Sequence, residues 1–160
     1  MKKKILMACL LAMMASGTPF SSSKDKLGAY IGWPLGLSYS HEFTDLVELD
    51  LVAAYSGWGP GIGGLNVYLG ALFTLVDGSV DGNPWALTLG PSVGGTIGLW
   101  GDIWGSLDIL ADLRWEIDIR EVKGFNIFID FAPGVAVLFN HEHPVWFTSR
   151  GGVGLRYRFQ

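Results

Sequence analysis

The sequence predicts an all-β fold, a closed antiparallel eight-stranded transmembrane β-barrel, and three observations predict it. Eight segments repeat apolar residues at a period of two and are bounded by turn-type residues. The opposite face of each segment carries charge or small residues. Aromatic residues collect at the segment ends. Abundant glycine (23) and tryptophan (7), a mean hydropathy of +0.34 and no helical grouping of helix formers fit strands with apolar exteriors and small or polar interiors.

Taken in chain order, the first strand is Leu27–Trp33, broken by Pro34, and the second is Gly36–Phe43, closed by Thr44-Asp45. The third is Leu46–Ser56, followed by "GWGPGIGG", and the fourth is Leu65–Leu75, followed by "DGSVDGNP". The fifth is Trp85–Leu99, before "WGDIWG", and the sixth is Ser106–Ile119, before "REVKG". The seventh is Phe125–Phe139, ending at "NHEHP", and the last runs from about Trp146 to Phe159. A tilted strand crosses a bilayer in ~9–11 residues, and an even number of strands closes a bacterial barrel.

The faces decide which side is wet. On the sixth strand Leu107, Ile109, Ala111, Leu113, Trp115 and Ile117 oppose Asp108, Leu110, Asp112, Arg114, Glu116 and Asp118. On the last strand Val153, Leu155, Tyr157 and Phe159 oppose Gly152, Gly154, Arg156 and Arg158. A soluble barrel would put the large apolar face inside and the charge outside. Aromatics choose between the two. With both termini at one end, Phe43, Phe73, Trp85, Trp115, Phe125, Tyr157 and Phe159 fall near that end. Trp33, Tyr55, Trp58, Trp100, Trp104, Phe139 and Trp146 fall near the other. Two belts of amphipathic rings are expected where headgroups meet hydrocarbon, so the apolar face is assigned to lipid.

The lumen is then charged. Glu42, Glu48, Asp50, Asp108, Asp112, Glu116 and Asp130 face Arg114, Arg150, Arg156 and Arg158. An eight-stranded barrel is just wide enough for side chains to fill, so these groups are expected to interlock as an ion-pair network. Gly90, Gly94 and Gly98 are expected to make room for bulky neighbours across the lumen.

Ahead of the barrel, "MKKKILMACLLAMMASG" reads as a cleaved signal peptide over residues 1–17, uncertain by a few residues, with the barrel domain at 18–160. Lys2, Lys3 and Lys4 precede an apolar run too short for a transmembrane helix. Cys9 lies within that run, so no cysteine chemistry is expected in the mature chain. The product is expected to be integral to the cell outer membrane. A net charge of -4 without a basic cluster outside the signal gives no sign of nucleic-acid binding.

The terminal "GLRYRF", with "GWPLGLSYSHEFTDLVELDLVAAYSGW", "LNVYLGALF" and "FIDFAPGVAVL", resembles small OmpA/OmpX-like outer-membrane barrels, including those of spirochaetes. The resemblance spans nearly the whole mature chain through weak motifs. It implies recognition of the last strand by the barrel-assembly machinery. Gln160 departs from the pattern by following the aromatic that is normally terminal.

A non-catalytic outer-membrane barrel with a structural or surface-interaction role is the reading that follows. No catalytic residue, cofactor or metal is assigned. Asp108 and Asp112 are a carboxylate pair without a substrate pocket, and arginine neighbours would keep both charged. His141 and His143 form a two-imidazole loop site, which is a weak metal site. Ser40, His41 and Glu42 are the local candidates for a lipid A-modifying enzyme, but His41 faces opposite to both neighbours. A narrow channel or an OmpW-like conduit for small hydrophobic molecules is the alternative, with Tyr68, Leu72, Leu110 and Phe128 as its apolar lining. An extracellular ligand would meet short, glycine-rich loops rather than long polar ones.

Overall fold

A computed structural model describes residues 24–56, 63–98, 105–139 and 142–159. The predicted signal segment lies outside these residues, as do Trp58, Trp100, Trp104, His141 and Gln160. Eight strands follow in order: β1 (Asp25–Trp33), β2 (Leu35–Thr44), β3 (Val47–Ser56), β4 (Gly64–Val80), β5 (Asn83–Gly98), β6 (Ser106–Asp118), β7 (Phe125–Leu138) and β8 (Val145–Arg158). Each pairs antiparallel with the next, and β1 pairs with β8, so the sheet closes into a barrel. Closure leaves no unpaired strand edge.

Alternation along the strands sets the two surfaces. On β6 the inward residues Asp108, Asp112, Arg114 and Glu116 are buried, while Ile109, Leu113 and Trp115 between them are exposed. Ile31, Leu37, Leu69, Val93, Ile129 and Val153 carry the same exposed apolar surface onto six further strands. The outside is thus greasy and the inside charged.

Two expected boundaries move. β1 begins at Asp25 rather than Leu27, which brings Lys26 into the lumen at 1% exposure. The segment "DGSVDGNP" is not a long loop. β4 and β5 continue past Leu75 to a two-residue turn at Asp81-Gly82, both at positive φ (50° and 80°). An Asp-Gly pair fits such a hairpin turn, because Asp tolerates and Gly favours that region. The register shifts between Thr74 and Val76, making Leu75 the extra residue of a bulge. The bulge turns Asp77 inward, opposite Ala86, where strict alternation would have pointed it out.

Ring packing explains two glycines. A Cβ at Gly154 would stand 2.1 Å from the Phe128 ring, and one at Gly94 would stand 2.3 Å from the Tyr68 ring. Gly94 therefore seats a ring from the adjacent strand, not one from across the lumen. Gly154→Ala is expected to lower stability by about 1–3 kcal/mol through overpacking. The shift of the urea unfolding midpoint measures it, and an unchanged midpoint would mean that Phe128 is not held against β8.

Candidate functional site in the barrel lumen

The centre of the barrel is a charged cluster assembled from strands far apart in sequence. Arg114 of β6 donates to Asp50 at 2.6 Å and to Glu48 at 3.2 Å, both on β3. Arg156 of β8 donates to Glu48 at 3.1 Å, to Ser40 at 2.7 Å and also to Glu116. Arg150 pairs with Asp112, and with Asp130 at 3.2 Å. Lys26 meets Glu42 at 2.7 Å and both Glu48 and Glu116 at 2.9 Å. Each carboxylate named here faces at least one cation. A buried charge left without such a partner is costly.

Aromatic packing completes the cluster. The Phe128 ring lies between two guanidinium groups, with Arg156 at 4.4 Å and Arg114 at 5.0 Å from its centroid. It also stacks on Tyr30 at 5.9 Å. Such contacts orient arginine forks as well as attract them. Next to this layer Val52, Ala54, Tyr68, Leu110 and Ala132 form a buried apolar cluster. Tyr68, Leu72, Leu110 and Phe128 are buried in the lumen, and the Tyr68 and Phe128 rings lie directly against arginines of the ion-pair network.

Each mouth holds a cavity of about 200 Å³. The mouth at the chain termini is acidic, lined by Glu42, Asp45, Glu48, Asp77, Glu116 and Asp118, with Arg158 among them. Arg158 donates to Glu42 at 2.7 Å and is partly exposed, so it closes the network at the rim. The opposite mouth is different. Trp33, Asn66, Tyr68, Ser106, Asp108 and Trp146 are among the residues that line it.

Two sequence-based assignments change here. Asp108 is not in the ion-pair network. It is 2% exposed, its polar neighbours are the hydroxyls of Ser106 and Tyr68, and no cation pairs with it among the described residues. Asp112 does have its arginine. Trp146 belongs to the lumen side of β8, opposite Ala136 and in step with Arg150, and lines the cavity. Phe147 takes the outward position and is 75% exposed. The alternation is unbroken along β8: Trp146 lies an even number of residues from Arg150 and Arg156 and so shares their inward face.

The other aromatics fall where the alternation put them, apart from Trp58, Trp100 and Trp104, which lie outside the described residues. Phe43, Phe73, Trp115 and Tyr157 are exposed near the termini, and Trp33, Tyr55 and Phe139 are exposed at the other end. Trp85 packs edge-on against Trp115, and Tyr157 packs against both Phe125 and Phe159. These contacts group rings at the terminal end into a Trp85–Trp115 pair and a Phe125–Tyr157–Phe159 cluster.

His41 is also on the outer wall, and its partner is neither Ser40 nor Glu42. Its Nδ1 lies 2.6 Å from Asp25 Oδ1, which also accepts a 2.9 Å bond from the Tyr39 hydroxyl. Ser40 instead serves Arg156, and Glu42 serves Lys26 and Arg158, so the three adjacent residues act on two surfaces. His143 gives its backbone carbonyl to the Trp146 indole at 2.7 Å. No cluster of three or more metal-ligating side chains occurs among the described residues. No protein-family model, curated protein or solved structure matches this chain.

Proposed function

We propose that this chain is an integral outer-membrane barrel whose lumen is closed by its own salt bridges, with a structural or surface-interaction role and no catalysis. One observation supports the reading above others: buried arginines and carboxylates at 0–7% exposure fill the inside, while large aliphatic side chains at 36–68% exposure cover the outside. Water could not favour that arrangement, since exposing apolar surface costs about 25 cal/mol per Å². Hydrocarbon reverses the sign, and the strands of 9 to 17 residues are long enough to cross it. The aromatic rims are expected at the headgroup level, and β8, with Tyr157 and Phe159, is expected to engage the assembly machinery.

A continuous ionic layer across the lumen weighs against both a channel and a hydrophobic conduit. Refolding into detergent or vesicles tests the membrane reading: unheated protein is expected to migrate faster on a gel than heated protein. Recovery as a detergent-free soluble monomer would overturn it. In planar bilayers the folded protein is expected to pass no steady current. Reproducible single-channel steps would instead favour a narrow ionic path.

A further inference from the structure

Asp108 stands apart from the other lumen carboxylates. Glu42, Glu48, Asp50, Asp112, Glu116 and Asp130 all face lysine or arginine within 4.0 Å. Asp108 is buried just as deeply as these, yet has only hydroxyl neighbours. A buried carboxylate without a counter-charge is costly. The available arginine is committed elsewhere: Arg150 stacks on the Tyr68 ring at 5.2 Å and pairs with Asp112 and Asp130.

Small residues flank Asp108 on both neighbouring strands, and the Tyr68 ring occupies the room over Gly94. In the register its neighbours on either side are Gly94 and Ala136, the two smallest residue types. The carboxylate lines the cavity of about 200 Å³ at the mouth away from the termini. Trp146 lines the same cavity from β8, its indole N–H held by the His143 carbonyl. Asn66 and Thr96 are bonded to each other there, Oγ1 to Oδ1, so they are pre-arranged rather than waiting for a partner. One buried carboxylate that no cation pairs among the described residues, an indole held by a backbone carbonyl and a small void describe a receptor for a cation with an apolar part.

We propose that this mouth binds a small organic cation, of the alkylammonium or alkylguanidinium class, whose charge pairs with Asp108 and whose carbon atoms lie against Trp146. A metal ion fits poorly, because a single carboxylate is the only charged ligand lining the cavity among the described residues. A neutral polyol would leave the charge of Asp108 unmet. The site goes beyond the membrane reading and needs only the barrel mouth, so either can fail alone.

Calorimetric titration of the refolded protein in a non-ionic maltoside micelle tests it. Methylguanidinium and tetramethylammonium chlorides are the probes, with N-methylurea as neutral control and sodium acetate as anionic control. Saturable binding is expected for a cation and for neither control. Asp108→Asn is expected to weaken it by about tenfold or more, as loss of one partner of a buried charge pair does. Asp77→Asn, at the opposite mouth, is expected to leave it unchanged. Heat-modifiable migration verifies that each variant is folded. If Asp108→Asn does not fold, Trp146→Leu carries the test, with several-fold weakening expected. Absence of saturable binding, equal binding of the neutral control, or undiminished binding in a folded Asp108→Asn or Trp146→Leu variant would overturn the proposal.

Discussion

Arg114→Met is expected to destabilise the barrel by about 3–5 kcal/mol, the cost of leaving buried charges without their partner. Arg114 is fully buried and lies within 4.0 Å of Glu48, Asp50, Glu116 and Asp130. Methionine keeps the aliphatic stem but not the guanidinium that lies 5.0 Å from the Phe128 ring centroid, so the loss combines unmet carboxylate charge with that contact. Four carboxylates would then share Lys26, Arg150 and Arg156. Equilibrium unfolding in urea, followed by tryptophan fluorescence in lipid vesicles, measures the change. Arg114→Lys keeps the charge but not the fork that reaches Asp50 and Glu48 together, so an intermediate loss is expected.

A second substitution separates repulsion from lost attraction. In Arg114→Met with Asp50→Asn, the strongest unmet charge is removed along with its partner. Part of the loss is expected to return, since residues in one network do not add independently. If the single variant cost under about 1 kcal/mol, as surface ion pairs do, the cluster would be incidental and not what fills the lumen.

Face assignment was legible in the sequence because it depends only on alternation. Arg114, Arg150 and Arg156 could be sent inward from the period of two alone. Their partners could not be read the same way. Arg114 sits beside Asp130 in the register, at 3.9 Å, yet its shortest contact is Asp50 across the lumen at 2.6 Å. Which side chains meet across a barrel depends on stagger and tilt, and these are set jointly by all eight pairings. Asp108 shows the same limit: it faces inward as the alternation predicts, but it meets the hydroxyls of Ser106 and Tyr68 rather than a cation. Lys26 was missed for a simpler one. The alternation of Tyr30 and Gly28 continues back to it, but the strand had been started at the first apolar residue, Leu27. The bulge at Leu75 carries no sequence mark strong enough to announce it, and so the inward turn of Asp77 stayed hidden.

Leu69→Arg is expected to cost about 2–4 kcal/mol in vesicles, the penalty for arginine facing lipid near the bilayer midplane. Leu69 is the position to choose because it is central. It pairs with Leu51 and Val93, midway along the β3–β4 ladder that runs from Ser56↔Gly64 to Val47↔Phe73. Its side chain is 44% exposed and points away from the charged lumen. The same change at Leu46, in the β2–β3 turn and 64% exposed, is expected to cost only about 0–1 kcal/mol, since the penalty falls toward the interface. Both are measured by urea unfolding from vesicles. The comparison distinguishes the solvents directly. In water, an exposed leucine changed to arginine stays within about ±0.5 kcal/mol at either position, so a flat pair of values would place water outside the barrel. A depth-dependent pair of about 2–4 against about 0–1 kcal/mol supports a low-dielectric slab centred near Leu69, because the difference exceeds the ~1 kcal/mol span of strand context.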